Sequence, residues 1–320
     1  MELKKVLLIG GSGFVGGWVA NRLSERGIRV IIPTRHRDHS KQVILLPTVY
    51  TVEADVHDPQ QLAELMIGVD AVVNLVGILH DGDSTQPYGK RFAAAHVELP
   101  KKIVAAMQAS GVRRLVHLGA LKAAADAPSA YLRSKAAGEA LLREASGELD
   151  ITVLRPSVIF GPGDSFLNTF ATLLKLFPVL PLACGSARFQ PVYVGDVADT
   201  LVASLTAGET FGQTYELAGP TVYTLRQLVD YTAKLVGKKR LIIDLPDALA
   251  KLQASVLGLL PKPPISPDNL RSMQVDNITD GAHDYPGWNP QRLEAVAPAY
   301  LSAIRLRQRL DGYRCRAGRS

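Results

Sequence analysis

The chain has 320 residues, 47% of them hydrophobic and 21% charged, with a formal net charge of +6. That length can bury a large core in one big domain or two lobes, and the composition is that of an ordinary soluble globular protein. Six arginines against Asp311 in the final twenty residues carry most of the net charge, so the body is nearly neutral and no nucleic-acid-binding surface is expected.

No run of about 20 apolar residues is present. The nearest, Leu241 to Leu260, is broken by Asp244, Pro246, Asp247 and Lys251. The short apolar run near the start is the wrong length for a secretory signal and leads into glycines. Cys184 and Cys315 lie far apart and read as free thiols in a reducing compartment, with the cytoplasm as default.

In chain order, Val6 to Ile9 reads as a strand that breaks into Gly10-Gly11-Ser12-Gly13-Phe14-Val15-Gly16, and a helical stretch, Trp18 to Glu25, follows. Strand, glycine-rich turn and helix in that order are the context of a dinucleotide-binding fingerprint. Glycines let the backbone approach a pyrophosphate, and the helix start offers free N–H groups. The spacing Gly10, Gly13, Gly16 departs from the common G-x-G-x-x-G.

Further strands are expected at Arg29 to Ile32, Tyr50 to Ala54, Ala71 to Val76, Leu115 to Leu118 and Ile151 to Leu154, with helical patterns between them, including Leu99 to Ala109. Alternation of this kind predicts an α/β fold of Rossmann type, a doubly wound parallel sheet whose strands are continuous apolar runs because both faces are covered. After Phe160 the pattern loosens. Phe177 to Pro181 reads as an apolar loop, Thr214 to Leu217 as one more strand, and Thr224 to Val236 as a helix capped by Thr224. Another helix is expected over Pro246 to Leu260, with Leu249, Leu252, Val256 and Leu259 on one face, read as core packing rather than membrane contact. The division expected is residues 1–159 with 190–218 as the dinucleotide-binding domain, 160–189 with 219–302 as a smaller C-terminal lobe, and 303–320 as a basic tail. That tail reads first as a solvated end and alternatively as a segment attracted to anionic lipid.

Two positions carry the chemistry. Thr34-Arg35-His36-Arg37 follows the second strand, where an Asp or Glu would hold the ribose of NAD. Arg35 falls 19 residues after Gly16, and a guanidinium there favours a 2′-phosphate, so NADP(H) is preferred with NAD(H) as the alternative. Asp38 weakens that reading if it faces the ribose. Tyr131 and Lys135 lie four apart on one helix face. An ammonium nearby is expected to draw the phenol pKa down from about 10 towards neutrality, which suits proton transfer beside a nicotinamide. The histidines show no metal spacing, and no metal is expected.

These motifs, together with Ala54-Asp55-Val56, Asn74-Leu75-Val76-Gly77, Leu154-Arg155-Pro156-Ser157 and Gln190 to Ala198, resemble the extended or atypical short-chain dehydrogenase/reductase superfamily over roughly residues 1–300. Phe160 to Phe166 with Arg188 to Val192 is similar to the branch containing the NADPH-binding accessory subunit of respiratory complex I, whose bacterial relatives are described as NAD(P)-dependent epimerase/dehydratase-like. The resemblance implies Asp55 and Val56 at the adenine, Val76 and Gly77 near the adenosine ribose, Lys135 on the nicotinamide ribose, and Pro156 and Ser157 beside the nicotinamide. It also implies a Ser or Thr about twelve residues before Tyr131, polarising the reacting oxygen; Gly119 stands there instead. Ser129 is a substitute or, more simply, a helix cap.

The expected protein therefore holds a nicotinamide dinucleotide and has weak or no catalysis, in a respiratory accessory or assembly role with peripheral attachment at the inner membrane face. The alternative is an active reductase, dehydrogenase or epimerase on a small or quinone-related substrate. On this reading Gly119→Ser is expected to raise any residual rate.

Overall fold

The computed structural model describes residues 3–82, 86–258 and 265–302. Its strands in chain order are β1 (Lys5–Ile9), β2 (Arg29–Thr34), β3 (Val49–Glu53), β4 (Ala71–Asn74), β5 (Arg114–Leu118), β6 (Asp150–Pro156), β7 (Ile159–Phe160), β8 (Val179–Leu182), β9 (Arg188–Phe189), β10 (Val192–Tyr193), β11 (Thr214–Leu217), β12 (Tyr223–Thr224) and β13 (Leu241–Asp244). Seven of them form one sheet in the order β11-β6-β5-β4-β1-β2-β3, with every pairing parallel. This is the doubly wound arrangement, in which strand order reverses between β1 and β4 and opens a crevice at their carboxyl ends.

The chain divides into two units. The first comprises the described residues up to Pro156, Val194–Leu217 and Thr279–Gly287. It contains the seven-stranded sheet and the helices α1 (Phe14–Glu25), α2 (Pro59–Leu65), α3 (Lys90–Phe92), α4 (Leu99–Ser110), α5 (Ala130–Ala145) and α7 (Val194–Ser204), the second half of the chain supplying α7 and β11. A π-helical turn, Ala93–Glu98, joins α3 to α4. One core cluster runs through Leu7, Val72, Leu99, Ile103, Leu115 and Ile151, where strand and helix side chains meet. The segment 279–287 groups with this first unit: the Thr279 hydroxyl donates to the Glu216 carboxylate, and the backbone at Asp284 forms a parallel bridge with Glu216 of β11, Glu216 N donating to His283 O (2.8 Å).

The second unit comprises Ser157–Tyr193, Ala218–Ile278 and the described residues from Trp288. It contains α6 (Phe166–Leu176), α8 (Leu225–Leu235), α9 (Asp247–Leu257) and α10 (Pro267–Ser272) with three small two-stranded sheets. Thr224 caps α8 in a capping box with Gln227. The apolar loop expected at Phe177 to Pro181 is largely strand: β8 pairs in parallel with β13, Val179 opposite Leu241. Exposed and buried residues alternate along β8 and over Leu241–Ile243 of β13, which gives one covered face and one open one; Asp244 at the end of β13 is exposed.

α9 overturns one expectation. Its core-facing residues are Ala250 and Ala254, which pack with Ala183 and Leu270. Leu249, Leu252 and Val256 point outward, 51%, 60% and 58% exposed. The apolar period was read correctly as a face, but small alanines let the helix lie close on the other side, and periodicity does not name the partner of a face. Leu259 and the basic tail lie outside the described residues, as does Cys315.

Candidate dinucleotide site

Gly10 sits at φ +83° directly after β1, a left-handed turn that favours glycine. A Cβ on Gly10 would lie 3.2 Å from the backbone of Leu75 and Val76, and one on Gly16 would lie 2.4 Å from Gly10 O. The glycines therefore let the turn press against both the β4 exit and the first turn of α1. That helix begins at Phe14, four residues earlier than expected, with Gly13 as N-cap and no acidic residue in its first turn. Ser12, Phe14 and Val15 are half-buried and Gly13 is exposed. A narrow cradle, free N–H groups and an unopposed dipole fit a pyrophosphate.

Around it stand the other sequence-named positions of the first unit. Leu75 N donates to Ile9 O (2.9 Å), and Val76 N donates to Asn74 Oδ1 (3.1 Å). Arg35 is exposed just past β2. Asp38 is exposed as well, and its carboxylate pairs with Lys41 at 3.2 Å on the surface. The Asp55 side chain accepts from His57 N (3.0 Å), and Val56 packs on the core. Lys135 Nζ donates to Leu118 O (3.0 Å) and Val76 O (3.5 Å), and a Cβ on Gly77 would stand 3.2 Å from it. Gly10, Leu75, Val76, Gly77 and Lys135 are thus brought together at the β1/β4 switch. Pro156 ends β6, its carbonyl accepting from Leu121 N (3.0 Å). Ser157 belongs to the second unit, where its hydroxyl donates to Asn277 Oδ1 (2.6 Å).

Tyr131 departs from expectation. Burial and the nearby Glu139 carboxylate push its phenol up to about 12, instead of Lys135 drawing it down. Burial lowers Lys135 to about 8, partly countered by Glu139. Ser129 is a cap, its side chain accepting from Leu132 N (3.2 Å), and does not replace the missing hydroxyl.

Three features went unnoticed in the sequence. Glu139, buried one helical turn beyond Lys135, is paired with Arg155 of β6 (Nε to Oε2 2.7 Å). Its Oε1 lies 2.3 Å from where a Cβ on Gly119 would be. His96, on the π-helical turn, receives Ile78 N–H at Nε2 (3.0 Å). Nε2 being an acceptor, Nδ1 carries the proton and donates to Ser134 Oγ (2.8 Å), whose own proton goes to Tyr131 O (2.8 Å). The His96 ring also meets Tyr131 edge-on at 5.6 Å. His117, buried in β5, faces Asn74 (3.1 Å). Burial, then the Lys135 charge, hold both histidines well below their usual range, His117 at about 3. A carboxylate on a helix and a histidine inside an apolar stretch read as surface and core residues, and no spacing rule singles them out. Among the described residues no cluster of three or more His, Cys, Asp or Glu side chains is placed to hold a metal.

A family model described as NAD dependent epimerase/dehydratase matches residues 6–218. The chain belongs to this family. Among its relatives is the Arabidopsis thaliana protein named NADH dehydrogenase (ubiquinone) 1 alpha subcomplex subunit 9, mitochondrial, 30% identical over 282 residues, 85% of this chain and 69% of the relative. The Rattus norvegicus protein of the same name is 28% identical over 96% of this chain and 80% of its own. A 2-alkyl-3-oxoalkanoate reductase of Stenotrophomonas maltophilia is 27% identical over 74% and 77%. Of the solved structures, UDP-glucose 4-epimerase of Thermotoga maritima aligns with a TM-score of 0.72 and 18% identity, over 96% of this family member and 99% of that chain, a likeness of fold.

Proposed function

We propose that this family member is an NADP(H)-binding accessory or assembly protein of a respiratory complex, with little or no turnover of its own. Gly10, Ser12, Gly13, Phe14, Val15 and Gly16 would hold the pyrophosphate, Arg35 the 2′-phosphate, Asp55 and Val56 the adenine, Leu75, Val76 and Gly77 the adenosine side, and Lys135 the nicotinamide ribose. When bound, the dinucleotide supplies a hydride donor or acceptor. The single observation that carries the reading is the Glu139 carboxylate beneath Gly119. A Ser or Thr side chain at 119 has no room while Glu139 stands there, so the site lacks a polarising hydroxyl at this position. Tyr131, raised to about 12, stays a protonated phenol at neutral pH. The names of the subunit 9 relatives support the respiratory role. The cytoplasm remains the proposed compartment, and no described helix is long and apolar enough to cross a membrane.

Calorimetry with NADPH and NADH tests the cofactor. Tighter NADPH binding is expected, and Arg35→Glu should reduce or reverse the preference. Equal affinities, or tighter NADH, overturn the assignment of Arg35.

A second reading, a working reductase on a small or quinone-related substrate, is favoured by the retained Tyr131 and Lys135. Robust turnover that Tyr131→Phe abolishes would establish it over the accessory reading.

A further inference from the structure

The second unit carries an apolar surface that its own core leaves uncovered. α9 contributes Leu249, Leu252 and Val256. The open face of β8 and β13 contributes Val179, Pro181, Leu241 and Ile243, with Leu180, Leu182 and Ile242 turned inward. Leu176 and Phe177 extend it at the end of α6. Hydrogen bonds tie these pieces side by side. Arg240 Nε donates to Leu174 O (2.7 Å), Leu241 N to Pro178 O (3.2 Å), and Gln253 Nε2 to Pro181 O (3.2 Å).

Exposed large apolar side chains gathered on neighbouring elements mark an interface. Charge indicates its partner. Lys175, Lys238, Lys239 and Lys251 are exposed on these same elements and the loop between them, and Arg240 is half-exposed. Of the carboxylates there, Asp244 is held by Arg226 (3.0 Å), which leaves Asp247 as the other exposed acid. Aliphatic side chains with a lysine collar suit the boundary between acyl chains and anionic head groups, because lysine stems lie along apolar surface while their ammonium groups stay in the wet layer.

We propose that this face is a membrane-docking surface, with α9 and the open face of β8 and β13 seated shallowly in one leaflet of a bilayer containing anionic lipid. It is independent of nucleotide binding.

The test is co-sedimentation of the full chain with vesicles of phosphatidylcholine alone and of phosphatidylcholine mixed with phosphatidylglycerol. Binding to the mixed vesicles is expected. Leu249→Ser with Leu252→Ser and Val256→Ser, or separately Leu241→Ser with Ile243→Ser, should each weaken it by roughly tenfold or more, since each lost buried methylene counts. The thermal midpoint should stay unchanged, because the substituted side chains are exposed. Lys239→Glu with Lys251→Glu should reduce the preference for anionic vesicles. Absence of binding by the unmodified chain, or binding that neither serine variant weakens, overturns the proposal. So does a self-associated species in solution that the serine variants convert to monomer, since a second copy would then cover the face.

Discussion

Glu139 Oε1 occupies the space into which a side chain at Gly119 would grow, 2.3 Å from the position of its Cβ, and Val153 Cγ1 lies 3.2 Å from that position. Arg155 holds the carboxylate in an ion pair. Burial raises the Glu139 carboxyl, while Arg155 and Lys135 oppose that shift. The backbone of Gly119 and the Glu139 carboxylate therefore share one volume, and a side chain at 119 fits only if Glu139 moves.

Gly119→Ser alone should not restore activity. It should instead destabilise the protein by about 2 kcal/mol or more through overpacking against a buried ion pair. The double change Gly119→Ser with Glu139→Ala relieves the clash but leaves Arg155 without its partner, so adding Arg155→Met should recover more stability. Urea melts of the three variants check this order. A stable, active Gly119→Ser single variant would refute the geometry.

The two buried histidines set a pH dependence. His96 and His117 have folded pKa values below the unfolded value of about 6.5, so the unfolded chain binds more protons as pH falls through that value. Their stabilising contribution is present above it and is lost progressively below, at up to about 1.4 kcal/mol per pH unit for each histidine. Stability measured by urea unfolding should fall between pH 7 and pH 4, and His117→Gln, which can keep a partner for Asn74, should lessen the slope. An unchanged slope would remove His117 from the account.

The glycine cradle makes a separate prediction. In Gly16→Ala the new methyl group meets Gly10 O at 2.4 Å and Gly11 backbone at 2.6 Å, and backbone cannot yield as a flexible side chain can. Loss of at least about tenfold in dinucleotide affinity is expected, seen by calorimetry, with a lower thermal midpoint. Gly17→Ala, whose Cβ would find Val43 at 4.0 Å, serves as the tolerated control.

The parallel sheet was legible because its strands are continuous apolar runs and because Gly10 to Gly16 marks the first turn. Helix ends were less so: α1 starts at Phe14 because a glycine N-cap needs no side-chain bond. The cradle and the Tyr131–Lys135 face could be named from spacing. Glu139 could not, because its partners Arg155 and Gly119 come from other elements and meet it only after folding. The direction of the Tyr131 shift was misread for the same reason. The sequence shows the ammonium four residues away, while the burial and the second charge are tertiary. The outward face of α9 repeats the point, since Ala183, which helps bury its alanines, lies far off in the chain.

The final prediction concerns the arginine-rich segment 303–320, outside the described residues. Near an anionic surface its charges should add about 1 kcal/mol each and lose that effect as salt shortens the screening length. The apolar face of α9, β8 and β13 acts by burial and responds less to salt. Vesicle sedimentation of the full chain and of a chain ending at Ser302, at low and physiological salt, separates the two contributions. The full chain should bind acidic vesicles more tightly at low salt, with the difference shrinking at physiological salt while a salt-resistant component persists in both. Equal binding of the two chains at low salt would assign the arginines to a solvated end, and attachment would then rest on the folded surface alone.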